Sequence, residues 1–181
     1  MHFDDNAWQF VGILLVIVLG HSEGRVGRIG TFWQILSTLP GTLLHELAHL
    51  LVALVTGGRP TGFSVIPHTK DCLTRDGTVR RRWTLGSVTI ANPGMVSAFP
   101  TAMAPLFLNV AAWQLYCRWF SWFPRDPVHV LALYGTIYLF VSASVPSVQD
   151  LKIACSSLVG LALYGTLLVA AVAWWGGWLV A

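Results

Sequence analysis

The chain has 181 residues, of which 55% are hydrophobic and only 10% are charged, with a formal net charge of +3. Soluble globular domains carry about 25% charged residues, so this composition excludes a disordered chain, a nucleic-acid-binding protein and an ordinary cytosolic enzyme. It predicts a single membrane-embedded domain over residues 1–181, in contact with the lipid bilayer and with no nucleic acid as partner.

Long apolar runs recur along the chain. A transmembrane helix needs about 20 apolar residues, and the first run, residues 8–19, is short for that, so whether it spans stays open. Longer runs follow at residues 32–55, 95–116, 128–145 and 153–181. Gly57 and Gly58, directly after the second run, are typical of a helix C-terminus. We therefore predict an all-α polytopic, multi-pass membrane protein with about four to five transmembrane helices.

The longest polar stretch, residues 57–92, separates the second run from the third. β-type patches at 62–66 and 83–90 flank an Asp76-Gly77 turn signal, which predicts a small β-hairpin-like region. The stretch carries six basic residues: Arg59, Lys70, Arg75, Arg80, Arg81 and Arg82. Because cytoplasmic loops are enriched in Lys and Arg, we expect it on the cytoplasmic side of the membrane.

The motif His-Glu-x-x-His occupies residues 45–49, inside the second apolar run. On a helix, His45 and His49 share one face and can reach one cation, for which Zn²⁺ is the ion expected. Glu46 is placed to take a proton from a water molecule that zinc activates. Ionisable groups are costly in a lipid-embedded helix, which favours a metal site over the alternative of a polar helix-packing cluster.

A catalytic zinc ion usually has three protein ligands, so a third must come from elsewhere. No glutamate follows Glu46, and Val52 and Val55 occupy the Gly and His positions of the extended motif His-Glu-x-x-His-x-x-Gly-x-x-His. The downstream candidates are His68, Asp71, Asp76, Asp126, His129 and Asp150.

Position along the helices selects Asp150 from these candidates. Glu46 lies about nine residues, or about 14 Å, from the inner end of its helix, whereas Asp126 and His129 begin the fourth run at its outer end. Asp150 follows small residues around Pro146 that should break a helix near the inner face, where irregular backbone can line a cavity. The alternative is that Asp150 caps the last helix or pairs with Lys152.

With these residues the chain resembles the site-2 protease family of intramembrane zinc metalloproteases, peptidase family M50, over residues 32–152. The resemblance implies His45, His49 and Asp150 as ligands of one Zn²⁺ ion and Glu46 as the general base. It implies a zinc metalloendopeptidase that cleaves peptide bonds in or near transmembrane segments of membrane proteins, with its active site toward the cytoplasm. It assigns no substrate-binding residue.

Several positions depart from the family pattern near the third ligand. Ser142 stands where the family has Asn, Pro146 is displaced by one residue, and Leu151 replaces Gly; Gly-Pro-x-x-Asn survives only loosely at residues 91–94. A catalytically inactive relative that binds transmembrane helices as a scaffold is therefore an alternative. A metal or proton transporter is a third hypothesis, although no relay of acidic residues crosses the other apolar runs. The sequence does not identify the substrate, the regulatory trigger, the host membrane or the oligomeric state.

Overall fold

The computed structural model describes residues 5–65, 68–73, 79–84, 86–91, 94 and 96–180. Helices dominate this part: α1 (Asp5–Ile29), α2 (Thr31–Val55), α3 (Ala98–Ala102), α4 (Phe107–Trp122), α5 (Pro127–Ala143), α6 (Val148–Ser156) and α7 (Leu158–Val180). The strands are β1 (Arg59–Ser64), β2 (His68–Leu73), β3 (Val79–Thr84) and β4 (Ser87–Ala91), and one 3₁₀ turn covers Ala104–Leu106.

Two helices in the described ranges are long and apolar enough to cross a membrane. One is α1, whose candidate span Asn6–Val26 is longer than the predicted run because the polar residues after Leu19 continue the helix. The other is α2, over Phe32–Val55, and α5 with α6 would form a third as one bent span. The structure thus indicates membrane association.

The end of α2 confirms the predicted helix C-terminus. The backbone N–H of Gly58 donates to the carbonyl of Ala53 at 2.7 Å, and that of Gly57 donates to Leu54 at 3.4 Å. With Gly57 at a φ of 75°, these are the bonds of a Schellman motif, in which glycine avoids the cost of a left-handed conformation. The chain therefore reverses at once into β1, which packs back against α2.

The polar stretch forms two nested antiparallel pairs, which confirms the predicted hairpin region. The outer pair joins β1 to β4, from Arg59 opposite Ala91 to Ser64 opposite Ser87. The inner pair joins β2 to β3, from residue 68 opposite 84 to residue 73 opposite 79. The predicted Asp76-Gly77 turn lies outside the described residues. The outer pair lies against α2, so the start of β4 comes close to the helix that carries the motif.

The third apolar run, predicted as one spanning helix over residues 95–116, is divided in the structure, so that prediction was wrong. It contains α3, the 3₁₀ turn and the first part of α4. Pro105 lies in the 3₁₀ turn, and proline has no N–H to continue an α-helical hydrogen-bond ladder. The short helix α3 is mostly buried and packs against α2, α6 and α7.

The break predicted around Pro146 is confirmed. Helix α5 ends at Ala143 and α6 begins at Val148, and the two axes are bent by 53°. A second break at Ser157 separates α6 from α7, so the last apolar run is not a single helix. The first break turns the start of α6 toward α2.

Small residues fill the helix contacts while large apolar side chains face outward. Buried positions include Ala53, Ala98, Ala102, Ala104 and Ala143. Many large side chains are more than half exposed, among them Phe10, Phe32, Trp113 and Val128. Small residues at helix contacts and an apolar exterior are typical of proteins packed in lipid.

Candidate metal centre

The three predicted ligand residues meet at one point. His45 and His49 lie one turn apart on α2, with their Nε2 atoms 3.1 Å apart. Asp150, in the first turn of α6, places Oδ2 at 3.4 Å from Nε2 of His45 and Oδ1 at 3.4 Å from Nε2 of His49. Among the described residues, these three side chains form a group of a size that can hold a metal ion.

The ligand atoms of the three residues lie close enough together to hold one metal ion. Ligands about 2.0–2.2 Å from a tetrahedral ion lie about 3.3 Å from one another. The two Nε2 atoms are 3.1 Å apart, and each lies 3.4 Å from a different oxygen of the Asp150 carboxylate.

Backbone carbonyls fix the tautomer of both imidazoles. Nδ1 of His45 donates to the carbonyl of Ala143 at 2.9 Å, and Nδ1 of His49 donates to that of Thr101 at 2.7 Å. Because a carbonyl only accepts, each Nδ1 carries a proton, and a neutral ring then turns an unprotonated Nε2 inward. Two nitrogen lone pairs and a carboxylate then face one another, which is a donor set that could hold a metal ion.

Asp150 is oriented by a capping box at the start of α6. The backbone N–H of Ser147 donates to Oδ2 of Asp150 at 2.7 Å, and the N–H of Asp150 donates to Oγ of Ser147 at 3.2 Å. Asp150 is therefore the third residue of α6 in this capping box, and it does not cap the last helix, α7, as the alternative interpretation had it. The same carboxylate lies 3.4 Å from Nε2 of His45 and from Nε2 of His49.

Burial shields the cluster from surrounding solvent. The side chains of His45, His49 and Asp150 are 16%, 9% and 12% exposed. Glu46 is half-buried on α2, and the backbone of Val88 in β4 lies near its carboxylate. The charges of the cluster therefore interact in an environment with little water, where electrostatic interactions are stronger.

The rival candidate ligands do not join this group in the described residues. Asp126 is the N-cap of α5 and accepts from the backbone N–H of His129 at 2.9 Å and from its Nδ1 at 2.8 Å. These hydrogen bonds hold the pKa of Asp126 below its usual range. Because Ala143, at the far end of α5, contacts His45, the Asp126 cap lies about 25 Å away along the helix.

The other rival candidates lie on the polar stretch. His68 and Asp71 belong to β2, and only their backbone is described, while Asp76 lies outside the described residues. Sequence reasoning missed the carbonyls of Ala143 and Thr101, because a backbone acceptor is common to every residue type. The predicted helix break was the one available signal for Ala143, since a break leaves carbonyls without helical partners.

Comparison of the chain with protein-family models, with curated proteins and with solved structures finds no match. The resemblance to site-2 proteases therefore stays a prediction from the motifs.

Proposed function

We propose that this protein is an intramembrane zinc endopeptidase that cleaves peptide bonds in or near transmembrane segments. The observation that carries the proposal is the meeting of His45, His49 and Asp150, with separations that suit one zinc ion. Glu46, adjacent in sequence to the first of them, is the general base. This combination of two imidazoles, a carboxylate and a neighbouring glutamate is suited to amide hydrolysis.

Each group in the cluster has a distinct role in the proposed reaction. Zinc, when bound, supplies the Lewis acidity that polarises a carbonyl and acidifies a water molecule. Glu46 takes a proton from the attacking water and holds it on a carboxylate oxygen. The water oxygen bonds to the peptide carbonyl carbon, the C–N bond breaks, and the proton passes from Glu46 to the leaving amine. The carbonyls of Ala143 and Thr101 keep the two imidazoles in place throughout.

The position of the motif supports a substrate within the membrane. His45, Glu46 and His49 lie inside the candidate span Phe32–Val55. Glu46 is about 14 Å from the end of that helix, a depth at which a soluble peptide would have to leave water. A transmembrane segment already lies at this depth, so it is the substrate class that we propose.

The proposed arrangement in the membrane has about four to five spans. α1 and α2 supply two, the bent pair α5 and α6 supplies a third, and α4 and α7 are the further candidates. The basic stretch 57–92 places the adjoining end of α2, and with it the active site, toward the cytoplasm by the positive-inside rule.

The test is cleavage of single-span transmembrane peptides in proteoliposomes by the zinc-loaded full chain, with products identified by mass spectrometry. We expect Glu46→Gln to retain zinc and to lose cleavage by about 10²–10⁴-fold, because general acid–base catalysis contributes that much. Glu23→Gln is the matched control, since Glu23 lies on α1 outside the cluster, and it should cleave at the wild-type rate. Undiminished cleavage by Glu46→Gln would overturn the proposal.

A catalytically inactive scaffold that binds transmembrane helices is the second candidate. The hydroxyl of Ser142, where the family has Asn, donates to the carbonyl of Leu139 in its own helix, and that of Ser144 donates to Val141 and Asn109. Neither hydroxyl is held toward the histidines by these bonds. Zinc bound at one ion per chain, with tight binding of transmembrane peptides and no cleavage product, would favour this function.

A further inference from the structure

Gly86, immediately before β4, lies directly against the proposed general base. A Cβ atom built on Gly86 would lie 2.7 Å from Cγ of Glu46 and 3.0 Å from its Oε1. It would also lie 2.8 Å from Cγ2 of Thr42, one turn earlier on α2. Carbon atoms in contact are normally about 3.5–4.0 Å apart, so no other residue type fits here without movement of Glu46, Thr42 or the strand.

The sheet formed by β1 and β4 fixes the position of Gly86 relative to α2. The Schellman motif at Gly57 and Gly58 turns the chain from α2 into β1, and β1 pairs with β4 up to Ser64 opposite Ser87. Gly86 is the residue before Ser87, so the sheet holds it over α2. Two residues later, the Val88 backbone lies near the Glu46 carboxylate.

These contacts limit the movement of the Glu46 side chain. A glutamate side chain has three rotatable bonds, and Glu46 is only half-buried. Gly86 contacts the middle of the side chain at Cγ, while Val88 lies at its end. Neighbours at two points along the side chain restrict the rotamers of Glu46.

We infer that Gly86 is a positioning residue, which lets the start of β4 clamp the Glu46 side chain in the orientation needed for proton transfer. The inference rests on the proposed function of Glu46 as general base. Because the clamp acts on the base and not on the ligands, adding a side chain at residue 86 should lower kcat and leave zinc binding and KM unchanged.

The geometry is tested without reference to activity by the double variant T42C/G86C. It is made in the full chain with Cys72, Cys117 and Cys155 replaced by serine. The short distance from Gly86 to Thr42 lies within the reach of a disulfide, so mild oxidation should join the two cysteines. T42C/G62C is the control, since Gly62 faces Thr89, and it should remain unlinked. Equal linkage in the two variants would overturn the placement of Gly86.

The positioning role is tested by kinetics of Gly86→Ala in the zinc-loaded chain. We expect kcat to fall by about 10–100-fold, as small displacements of catalytic groups do, with one zinc ion retained. Gly62→Ala should match the wild type, because its Cβ would meet Thr89 at an ordinary 3.6 Å. Adding Thr42→Ser to Gly86→Ala removes the Cγ2 contact and should restore part of kcat.

The outcomes distinguish a failure of the positioning role of Gly86 from a failure of the proposed general base, Glu46. Inactive Glu46→Gln with wild-type kcat in Gly86→Ala overturns the positioning role alone. Active Glu46→Gln overturns the general base, while the disulfide test still reports where Gly86 lies. Loss of zinc in Gly86→Ala would contradict a clamp that acts on the general base and not on the metal ligands.

Discussion

Asp150 serves two purposes with one carboxylate. Its Oδ2 accepts the N–H of Ser147 and faces His45, while Oδ1 faces His49. A helix cap and a metal ligand both need a fixed carboxylate, so the capping box does for Asp150 what the Ala143 and Thr101 carbonyls do for the imidazoles. Loss of a partner that orients a ligand in this way typically costs about 10–100-fold in metal affinity.

Removal of the Ser147 hydroxyl should weaken zinc binding although Ser147 is not a ligand. We expect Ser147→Ala to lower zinc affinity by about 10–100-fold, measured by competition with a chelator. Ser147→Thr keeps an oxygen that can accept the Asp150 N–H, and it should bind zinc nearly as tightly as the wild type. Equal affinities for wild type and Ser147→Ala would show that the capping box does not orient the ligand.

At the residue scale, the sequence predicted the cluster of side chains but not the groups that orient them. His45, Glu46 and His49 follow from a motif, and Asp150 follows by elimination in a chain with few carboxylates. Gly86 could not be singled out, because its role depends on a contact with a helix forty residues earlier. The sequence contains 17 glycines, and only the folded chain distinguishes the one that touches Glu46.

Between elements, the contact of α1 with α5 holds the first helix to the rest of the bundle. The ring of Tyr134 occupies the space beside Gly12, where a Cβ would lie 2.2 Å from a ring carbon. The Tyr134 hydroxyl donates to Oε1 of Gln9. A glycine notch filled by an aromatic ring and closed by a polar contact is a tight helix contact of the kind that small residues permit.

A side chain at residue 12 should weaken the contact of α1 with α5. We expect Gly12→Ala to destabilise the folded chain by about 1–3 kcal/mol, because overpacking a close contact costs that much. Gly24→Ala is the matched control on the same helix, since no atom lies within 4 Å of its Cβ position. The melting temperature of both variants is measured in detergent. An equal melting temperature for the two would contradict the close contact of Gly12 with Tyr134.

The elements that the sequence predicted well have local signals, and those it missed do not. Glycines end α2, and small residues around Pro146 break α5 from α6. The extension of α1 beyond Leu19 was missed because the polar residues after Leu19 end the apolar run but not the helix. The division of the third run was missed because Pro105 stands in an otherwise apolar stretch, and apolar content does not distinguish one helix from three elements.

For the whole molecule, the cluster joins parts of the chain that are far apart in sequence. His45 binds the end of α5 and His49 binds α3, while Asp150 comes from α6. The breaks that shorten α3 and separate α5 from α6 leave carbonyls and an N-cap at the depth of the motif on α2. Backbone polar groups at such a depth are tolerated where they line a protein cavity.

The most direct test of the proposed centre is X-ray absorption at the zinc edge, on the zinc-loaded wild type and on Asp150→Asn. We predict one zinc ion per chain with nitrogen and oxygen ligands alone, at about 2.0–2.2 Å, including two imidazoles. Asp150→Asn should lose zinc or show a changed oxygen shell. Sulfur ligands at about 2.3 Å, or a spectrum that Asp150→Asn leaves unchanged, would contradict the centre built from His45, His49 and Asp150.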